Sequence, residues 1–488
     1  MKARDLIKLG FKQGPAVGVA MKLIPEAQRA LGREVLENDL RAIVNEPNAY
    51  TEHPHLALLA KALIEQDAKR RAFEERATPA PYRVWGEGLE VGAVDQLKNA
   101  ARLPVAVAGA LMPDAHQGYG LPIGGVLATE NAVIPYAVGV DIACRMRLSV
   151  FGVPAKEMKP QLPQGGAVLG ELSVFGVPAK EMKRLDETLK RVLQRETSFG
   201  VGGEFRKPEE HEVLDRDWSV TPVTRKNFDR ARAQLGTSGS GNHFVEFGII
   251  TLDKPDLGLE PGEYLALLSH SGSRGTGAAV ADVYSKLAMD QHPELPPELR
   301  RLAWLDLDNQ AGQEYWTAMN LMGEYAAANH AVIHRKVARA LGEKPLAGVE
   351  NHHNFAWKET HGGKDVIVHR KGATPAGEGV LGVIPGSMAS PGFVVRGRGN
   401  TDSLHSASHG AGRQMSRTAA KDKFRWAHFK EQFERAGVQL LSAGIDEAPG
   451  AYKDIHAVMA AQSDLVDVIA RFDPKIVKMA PAGEKPED

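Results

Sequence analysis

The chain has 488 residues, 43% hydrophobic and 25% charged, with a net charge of −1 and one cysteine. It is long enough to bury one large core or two to three smaller ones. Near-neutrality excludes a global basic field for nucleic acid, and a single cysteine excludes a disulfide framework. No run of apolar residues is long enough to span a bilayer and the N-terminus lacks a secretory h-region, so the expected location is cytoplasmic, with no membrane partner.

Residues 1–80 read as a helical N-terminal appendage with a structural or partner-docking role. Pro25–Leu31 and Leu56–Gln66 carry apolar residues at helical spacing, and Thr78-Pro-Ala-Pro81 breaks the pattern. From 82 to 478 the texture changes. Short β-rich runs start at Pro104, Gly125, Phe244, Asp365 and Phe393, and helices are predicted over 184–196, 297–342, 424–436 and 455–472. Gly-, His- and Ser-rich loops lie between them. The fold class is therefore α+β (mixed α/β), a single catalytic domain with function on its loops. Residues 479–488 are expected to form a flexible tail. Leu148–Lys159 recurs unchanged at Leu172–Lys183. Two copies are too few for a solenoid, so the extra one is expected to be a surface loop or an added edge strand.

The lone thiol, Cys144, follows Asp141 by three residues, a spacing that can aim both side chains into one space. An isolated cysteine is more often a small buried hydrophobe. Five separated loops change that weighting, each placing His beside Gly, Ser or Asn: Asp114-Ala-His116, Asn242-His243, Ser269-His270, His352-His353-Asn354 and Ser408-His409-Gly-Ala-Gly-Arg413. Cores do not need glycines around imidazoles. Metal and phosphate sites do, because backbone N–H groups must come close to the anion or ligand. Chemistry alone then builds a ligand set. Cys144 as thiolate can bridge two ions, Asp141 supplies a hard oxygen, and His243, His270 and His353 supply neutral imidazoles, each needing an acceptor on its other nitrogen. Mn²⁺, Zn²⁺, Co²⁺ and Fe²⁺ all suit such a set. The glycine turns at Pro385-Gly-Ser-Met388 and His409–Gly412, with Arg370 and Lys371, are anion-binding candidates.

Together these motifs resemble the RtcB family of RNA ligases. The resemblance rests on Met112-Pro-Asp-Ala-His-Gln-Gly-Tyr-Gly120, Gly139-Val-Asp-Ile-Ala-Cys144, Gly241-Asn-His243, Ser269-His-Ser-Gly-Ser-Arg-Gly275, His353-Asn354, Arg370-Lys-Gly-Ala373, Pro385–Met388, His409-Gly-Ala-Gly-Arg413 and Glu447-Ala-Pro-Gly-Ala-Tyr-Lys453, in the family's order. It implies ligation of an RNA 3′-phosphate or 2′,3′-cyclic phosphate to a 5′-hydroxyl, in tRNA splicing or RNA repair. It also implies GTP as co-substrate, two divalent ions (Mn²⁺ above all), a guanylyl-histidine and an archease-type activating partner.

By the same resemblance His409 is the nucleophile. One ion falls to Asp141, Cys144 and His243, and the other to Cys144, His270 and His353. The nucleotide falls to Asn242, His243, Phe244, Val245, Glu246, His353, Asn354, Pro385, Gly386, Ser387, Met388, Gly392, His409, Gly410, Ala411, Gly412, Tyr452 and Lys478. Glu246 would accept from guanine, Tyr452 would pack on the base, and Lys478 (with Lys475 as alternative) would reach guanine O6. Where the family has a serine after Met388, this chain has Gly392, with Ser390 close by. Two other readings are a metal-dependent phosphoesterase on nucleic-acid ends, with water as nucleophile, and a non-catalytic RNA-end-binding paralogue. Neither accounts for His409 in its Gly-Ala-Gly-Arg setting.

Overall fold

The computed structural model describes residues 3–11, 15–72, 75–154 and 179–484. Of the duplicated segment, residues 148–154 of the first copy and 179–183 of the second are described, in a strand and a helix. Residues 155–178, on which the expected loop or edge strand largely falls, lie outside the described residues, as do residues 485–488.

The N-terminal helices include Pro15–Leu31, Arg33–Asn45 and Ala57–Ala72. In the second, Leu36, Leu40 and Ile43 recur at helical spacing and are buried. They meet Leu6, Phe11, Ile24, Leu56, Leu59 and Leu63 in a core drawn entirely from this segment.

Beyond residue 80 the described chain forms β1 (Tyr82–Val84), β2 (Ala106–His116), β3 (Ile123–Thr129), β4 (Ala132–Val133), β5 (Arg145–Pro154), β6 (Phe244–Leu252), β7 (Gly262–Ser271), β8 (Leu305–Asp306), β9 (Pro345–His352), β10 (Asn354–His361), β11 (Lys364–Lys371), β12 (Ala373–Pro375), β13 (Leu381–Ile384), β14 (Gly392–Gly397), β15 (Ser406–Ser408), β16 (Gln439–Ser442) and β17 (Val466–Met479). One sheet has the order β1-β2-β3-β11-β10. A larger one has the order β13-β14-β17-β6-β7-β5-β9, with β16 on β17. Apart from β1–β2 and β16–β17, the pairs within both sheets are antiparallel. Helices cover the sheets. The longest, Gln310–Leu341, buries Tyr315, Met319, Met322, Ala326, His330, Ile333 and Val337, and ends at Gly342, whose φ of 74° suits a glycine cap.

Three predicted helices are shorter than expected. In 297–342 the helix starts only at Gln310, because Leu305–Asp306 pairs with Ala132–Val133 as β8. In 424–436 a 3₁₀ turn, Trp426–Phe429, precedes a helix over Lys430–Ala436. The largest correction is 455–472. A helix over Ile455–Ala460 gives way to β17, which is hydrogen-bonded on both sides, to β14 and β6. β-Branched Val466, Val468 and Ile469 lie in the part paired with β14, β6 pairs from Arg471 onward, and Pro474 is tolerated there at a register shift. Met479 belongs to this strand rather than to a tail, and Val201 N–H donates to the Glu484 carboxylate.

Antiparallel pairing sets the site. Register places Met146 and Phe244 opposite His270, and Arg145 opposite His352. The start of β5, the start of β6, the end of β7 and the end of β9 therefore meet at one end of the larger sheet.

Candidate active site

Asp141 and Cys144 occupy the turn before β5. Cys144 N–H donates to Asp141 O (3.2 Å), and Ala143, at φ 56°, donates to Asn354 O (2.6 Å). A non-glycine residue in the left-handed region is strained and held by its surroundings. Here the strain turns the carboxylate and the thiol to the same side. Gly272 keeps room for them, since a Cβ there would lie 2.1 Å from both Asp141 oxygens.

Two donor groups share the sulfur. Cys144 Sγ is 3.5 Å from His243 Nε2, which is 3.1 Å from Asp141 Oδ2. It is also 3.1 Å from His270 Nε2, which is 3.1 Å from His353 Nε2. Proton positions follow from the neighbours. His243 Nδ1–H donates to Ser238 O (2.8 Å) and His270 Nδ1–H to Asn242 O (3.2 Å). Both carbonyls can only accept, so both neutral rings present bare Nε2 lone pairs. With those protons on Nδ1, lone pairs, sulfur and carboxylate converge, and the residues could hold divalent metal ions at the two predicted positions. Burial, then neighbouring His243, lowers the His270 pKa to about 3. Burial opposes ionisation of Asp141, but the neighbouring His243 holds it below the usual carboxylate range. His353 departs from expectation in one respect: its buried Nδ1 has no partner among the described residues.

Behind β7 a dry polar chain braces these ligands. His330 Nε2–H donates to Ser271 O (3.1 Å), so its Nδ1 accepts from the Ser269 hydroxyl (2.7 Å). Ser269 Oγ accepts from His334 Nε2–H (2.8 Å), and His334 Nδ1 accepts from Ser149 (2.8 Å). Ser271 Oγ in turn donates to Ser238 O, the carbonyl that orients His243. The motif Ser269-His-Ser thus points its histidine at the cleft and its serines at the helix behind, by strand alternation.

His409 follows β15. Its Nδ1 lies 2.6 Å from Asp114 Oδ2, which also accepts from the His409 and Gly410 N–H groups (3.1 and 3.4 Å). Burial opposes charge on Asp114, yet His409, Lys453 and His116 keep it below the usual range. A carboxylate on Nδ1 fixes the ring and leaves Nε2 as the nucleophilic nitrogen. The His409 ring stands 4.9 Å from that of His353. Gly412 (φ 70°) is obligatory, because a Cβ would sit 2.0 Å from Asp114 O. Asp114 is the functional residue that residue-type reasoning passed over. Its signal was the carboxylate within the Met112–Gly120 motif.

Three other histidines, His369, His405 and His116, stand in different surroundings. His369 has both ring nitrogens engaged, by Ile134 N–H (2.9 Å) and Leu127 O (3.1 Å). His405 stacks on His361 (4.6 Å). His116 lines the cleft, with its pKa lowered to about 4, chiefly by burial.

Of the predicted nucleotide positions, Asn242, His243, Phe244, Glu246, His353, Asn354, Pro385, Gly386, Ser387, Met388, Gly392, His409, Gly410, Ala411, Gly412 and Tyr452 line one cleft with Asp141, Cys144 and His270. Ser387 and Ser390 Oγ are 2.8 Å apart at its wall, so a hydroxyl stands near the place that Gly392 leaves without one. Tyr452 OH bonds Glu447, and the Arg413 guanidinium lies 5.4 Å over its ring.

Val245 and Lys478 are corrections. They pair across β6 and β17 and face away from the cleft, opposite to Glu246 and Val477. Val245 is buried with Phe247, Val192 and Ile333. Lys478 Nζ donates to Leu193 O, Thr197 O and Thr197 Oγ1 at 3.0–3.1 Å. Carbonyls at the end of the helix Ala179–Glu196 claim this ammonium, and burial lowers its pKa to about 8. Lys475 donates to Ala436 O and does not line the cleft either.

Glu246 is buried at the cleft wall with no side-chain partner among the described residues. Burial holds its carboxyl well above the usual range. The unfolded side chain ionises near pH 4.3. Above that pH the unfolded state loses a proton that the folded state retains, so this group lowers stability as pH rises toward its folded pKa. Glu246→Gln is expected to raise the melting temperature of metal-free, nucleotide-free protein at pH 7.5 and to leave it unchanged at pH 4. Equal melting temperatures at pH 7.5 would contradict the unpaired burial.

A sequence model of the tRNA-splicing ligase RtcB family matches residues 96–479. The chain belongs to the RtcB family. It is 36% identical over 406 residues to the RNA-splicing ligase RtcB of Escherichia coli (strain K12), covering 80% of this chain and 95% of the relative. It is 32% identical over 458 residues to the tRNA-splicing ligase RtcB of Archaeoglobus fulgidus, covering 81% and 91%. A third relative, the tRNA-splicing ligase RtcB of Thermococcus kodakarensis, is 32% identical over 435 residues, covering 78% and 89%. The RtcB match spans the cleft, including every predicted metal position and His409. Among the described residues no helix is long and apolar enough to cross a membrane.

Proposed function

We propose that this RNA ligase joins an RNA 3′-phosphate or 2′,3′-cyclic phosphate to a 5′-hydroxyl through GMP carried on His409. The observation that carries the reading is the His409–Asp114 pair: a histidine held through Nδ1 by a buried carboxylate, beside a thiolate-centred cluster of bare donors. His409 Nε2 attacks the α-phosphorus of GTP. A P–N bond forms, the Pα–O bond to the β-phosphate breaks, and pyrophosphate leaves. Asp114 keeps the proton on Nδ1 and supports the positive charge that develops on the ring. A 2′,3′-cyclic end is first opened by water, which breaks the P–O2′ bond and leaves a 3′-phosphate. An oxygen of the 3′-phosphate then takes the guanylyl group as the P–N bond breaks and frees the ring. The 5′-hydroxyl finally attacks that 3′-phosphorus and releases GMP.

Asp141, Cys144, His243, His270 and His353 would hold two divalent ions, Mn²⁺ on the resemblance, which when bound neutralise charge on phosphoryl oxygens. The glycine turns at 385–388 and 409–412 let backbone approach the phosphates. A ligand thiolate that must stay reduced suits a cytoplasmic setting.

The deciding experiment is incubation with α-labelled GTP and Mn²⁺. Acid-labile, alkali-stable label on the protein supports the reading, and its absence in metal-loaded protein contradicts it. Adding an archease-type protein to the same assay tests for the activating partner that the resemblance implies.

Glu246 is assigned the guanine edge. As a carboxylate it accepts two N–H groups from guanine and finds no such pair on adenine. Losing paired bonds to a charged group costs about 1.5–3 kcal/mol, roughly tenfold or more in selectivity. GTP should therefore label the protein at least about tenfold faster than ATP, and Glu246→Ala should erase the difference. Equal rates in the native protein would remove Glu246 from this role.

A further inference from the structure

We propose that Glu359, His361 and His405 form a further cation site, selective for zinc, that clamps the turn leading into the His409 loop. Glu359 and His361 stand two residues apart on one side of β10, and His405 comes just before β15. One ligand atom from each lies within 4.8 Å of the others. His361 Nε2 is 2.7 Å from Glu359 Oε2, and the two imidazole rings are 4.6 Å apart. Neither ring nitrogen of His405 has a hydrogen-bond partner among the described residues. Glu359 and His361 lie five and seven residues along β10 from Asn354, about 16 and 23 Å at ~3.3 Å per residue, and none of the three residues lines the cleft.

Two further observations point to a ligand. The Glu359 carboxylate is fixed from behind by Arg370 Nη1 (2.6 Å) and Nη2 (3.1 Å). The same guanidinium bonds Ser406 Oγ and Leu404 O, both at 2.8 Å. Ligating carboxylates are typically held by such outer partners. Leu404 and His405 are also consecutive non-glycine residues at φ 53° and 50°. That conformation is strained and is held by His405 N–H donating to Asn400 O (3.0 Å) and by Ala376 N–H donating to His405 O (2.7 Å). A metal bond from His405 to β10 would add a side-chain restraint to these.

The donor set chooses the ion. Two imidazoles and one carboxylate match zinc, whereas Mg²⁺ and Mn²⁺ favour oxygen-rich sites. The Arg370 charge further disfavours ions held mainly by electrostatics.

The test counts zinc per chain by elemental analysis after equilibrium dialysis of chelator-stripped, full-length protein. Cys144→Ser serves as a background that weakens the cleft site. His361→Gln, or His405→Asn, whose side chain tolerates the left-handed backbone, is expected to bind one zinc fewer per chain than its parent, in both native and Cys144→Ser backgrounds. In the native background each should also lose the zinc-dependent rise in melting temperature while still forming the GMP adduct. An unchanged zinc count in both variants overturns the site. The outcome is independent of the ligase reading, because it is read without RNA or GTP turnover.

Discussion

Replacing His409 by alanine is expected to abolish the protein–GMP adduct and overall ligation, a loss of at least about three orders of magnitude for a covalent nucleophile. Metal and GTP should still bind, because their ligands lie on β6, β7 and the loops at 141–144, 353–354 and 385–388. The variant should also seal an RNA whose 3′ end is already guanylylated, since that step needs no histidine nucleophile. Peptide mapping of GMP to another histidine would overturn the assignment. Asp114→Asn sharpens the test. An amide can present its N–H to Nδ1 and favour the wrong tautomer, which costs about 10⁴-fold in a comparable histidine–carboxylate pair. Adduct formation near the native rate in this variant would mean that Asp114 merely braces the loop.

The second large effect is at the thiol. Cys144→Ser should abolish both bound ions and guanylylation while leaving the fold intact. Serine is nearly isosteric, but its hydroxyl stays protonated at neutral pH and cannot bridge two cations. The sulfur stands 3.1–3.5 Å from one imidazole of each donor group, so its loss weakens both. Affinity should fall by more than about 100-fold, the upper limit for losing only an outer-sphere partner. Isothermal titration with Mn²⁺ measures this. Two tightly bound ions in the serine variant would rule out the shared-sulfur arrangement.

The metal donors were legible because their chemistry is carried by residue type. A lone cysteine three residues after an aspartate, with histidines in glycine-flanked loops, has few other uses, and the structure gathers all five donors. The nucleotide positions were legible only as motifs. A glycine turn such as 385–388 carries little chemistry until a second turn, 409–412, is seen across the same cleft. The helix expected over 455–472 was misread because Val466, Val468 and Ile469 show their preference only once β14 pairs alongside, in a strand whose pairing β6 continues from Arg471. The terminal lysine was misassigned for a related reason. Period-two alternation along β17 sends Val477 and Met479 to the cleft and Lys478 to the helix behind it.

The sequence by itself determined the candidate donor inventory, the candidate nucleophile, the α+β class and the family, since each depends on residue identity and order. Tertiary structure decided which way each side chain points and what holds it. Only the folded chain brings Asp114 within 2.6 Å of a histidine 295 residues away, so that one ring nitrogen is held and the other is free to react.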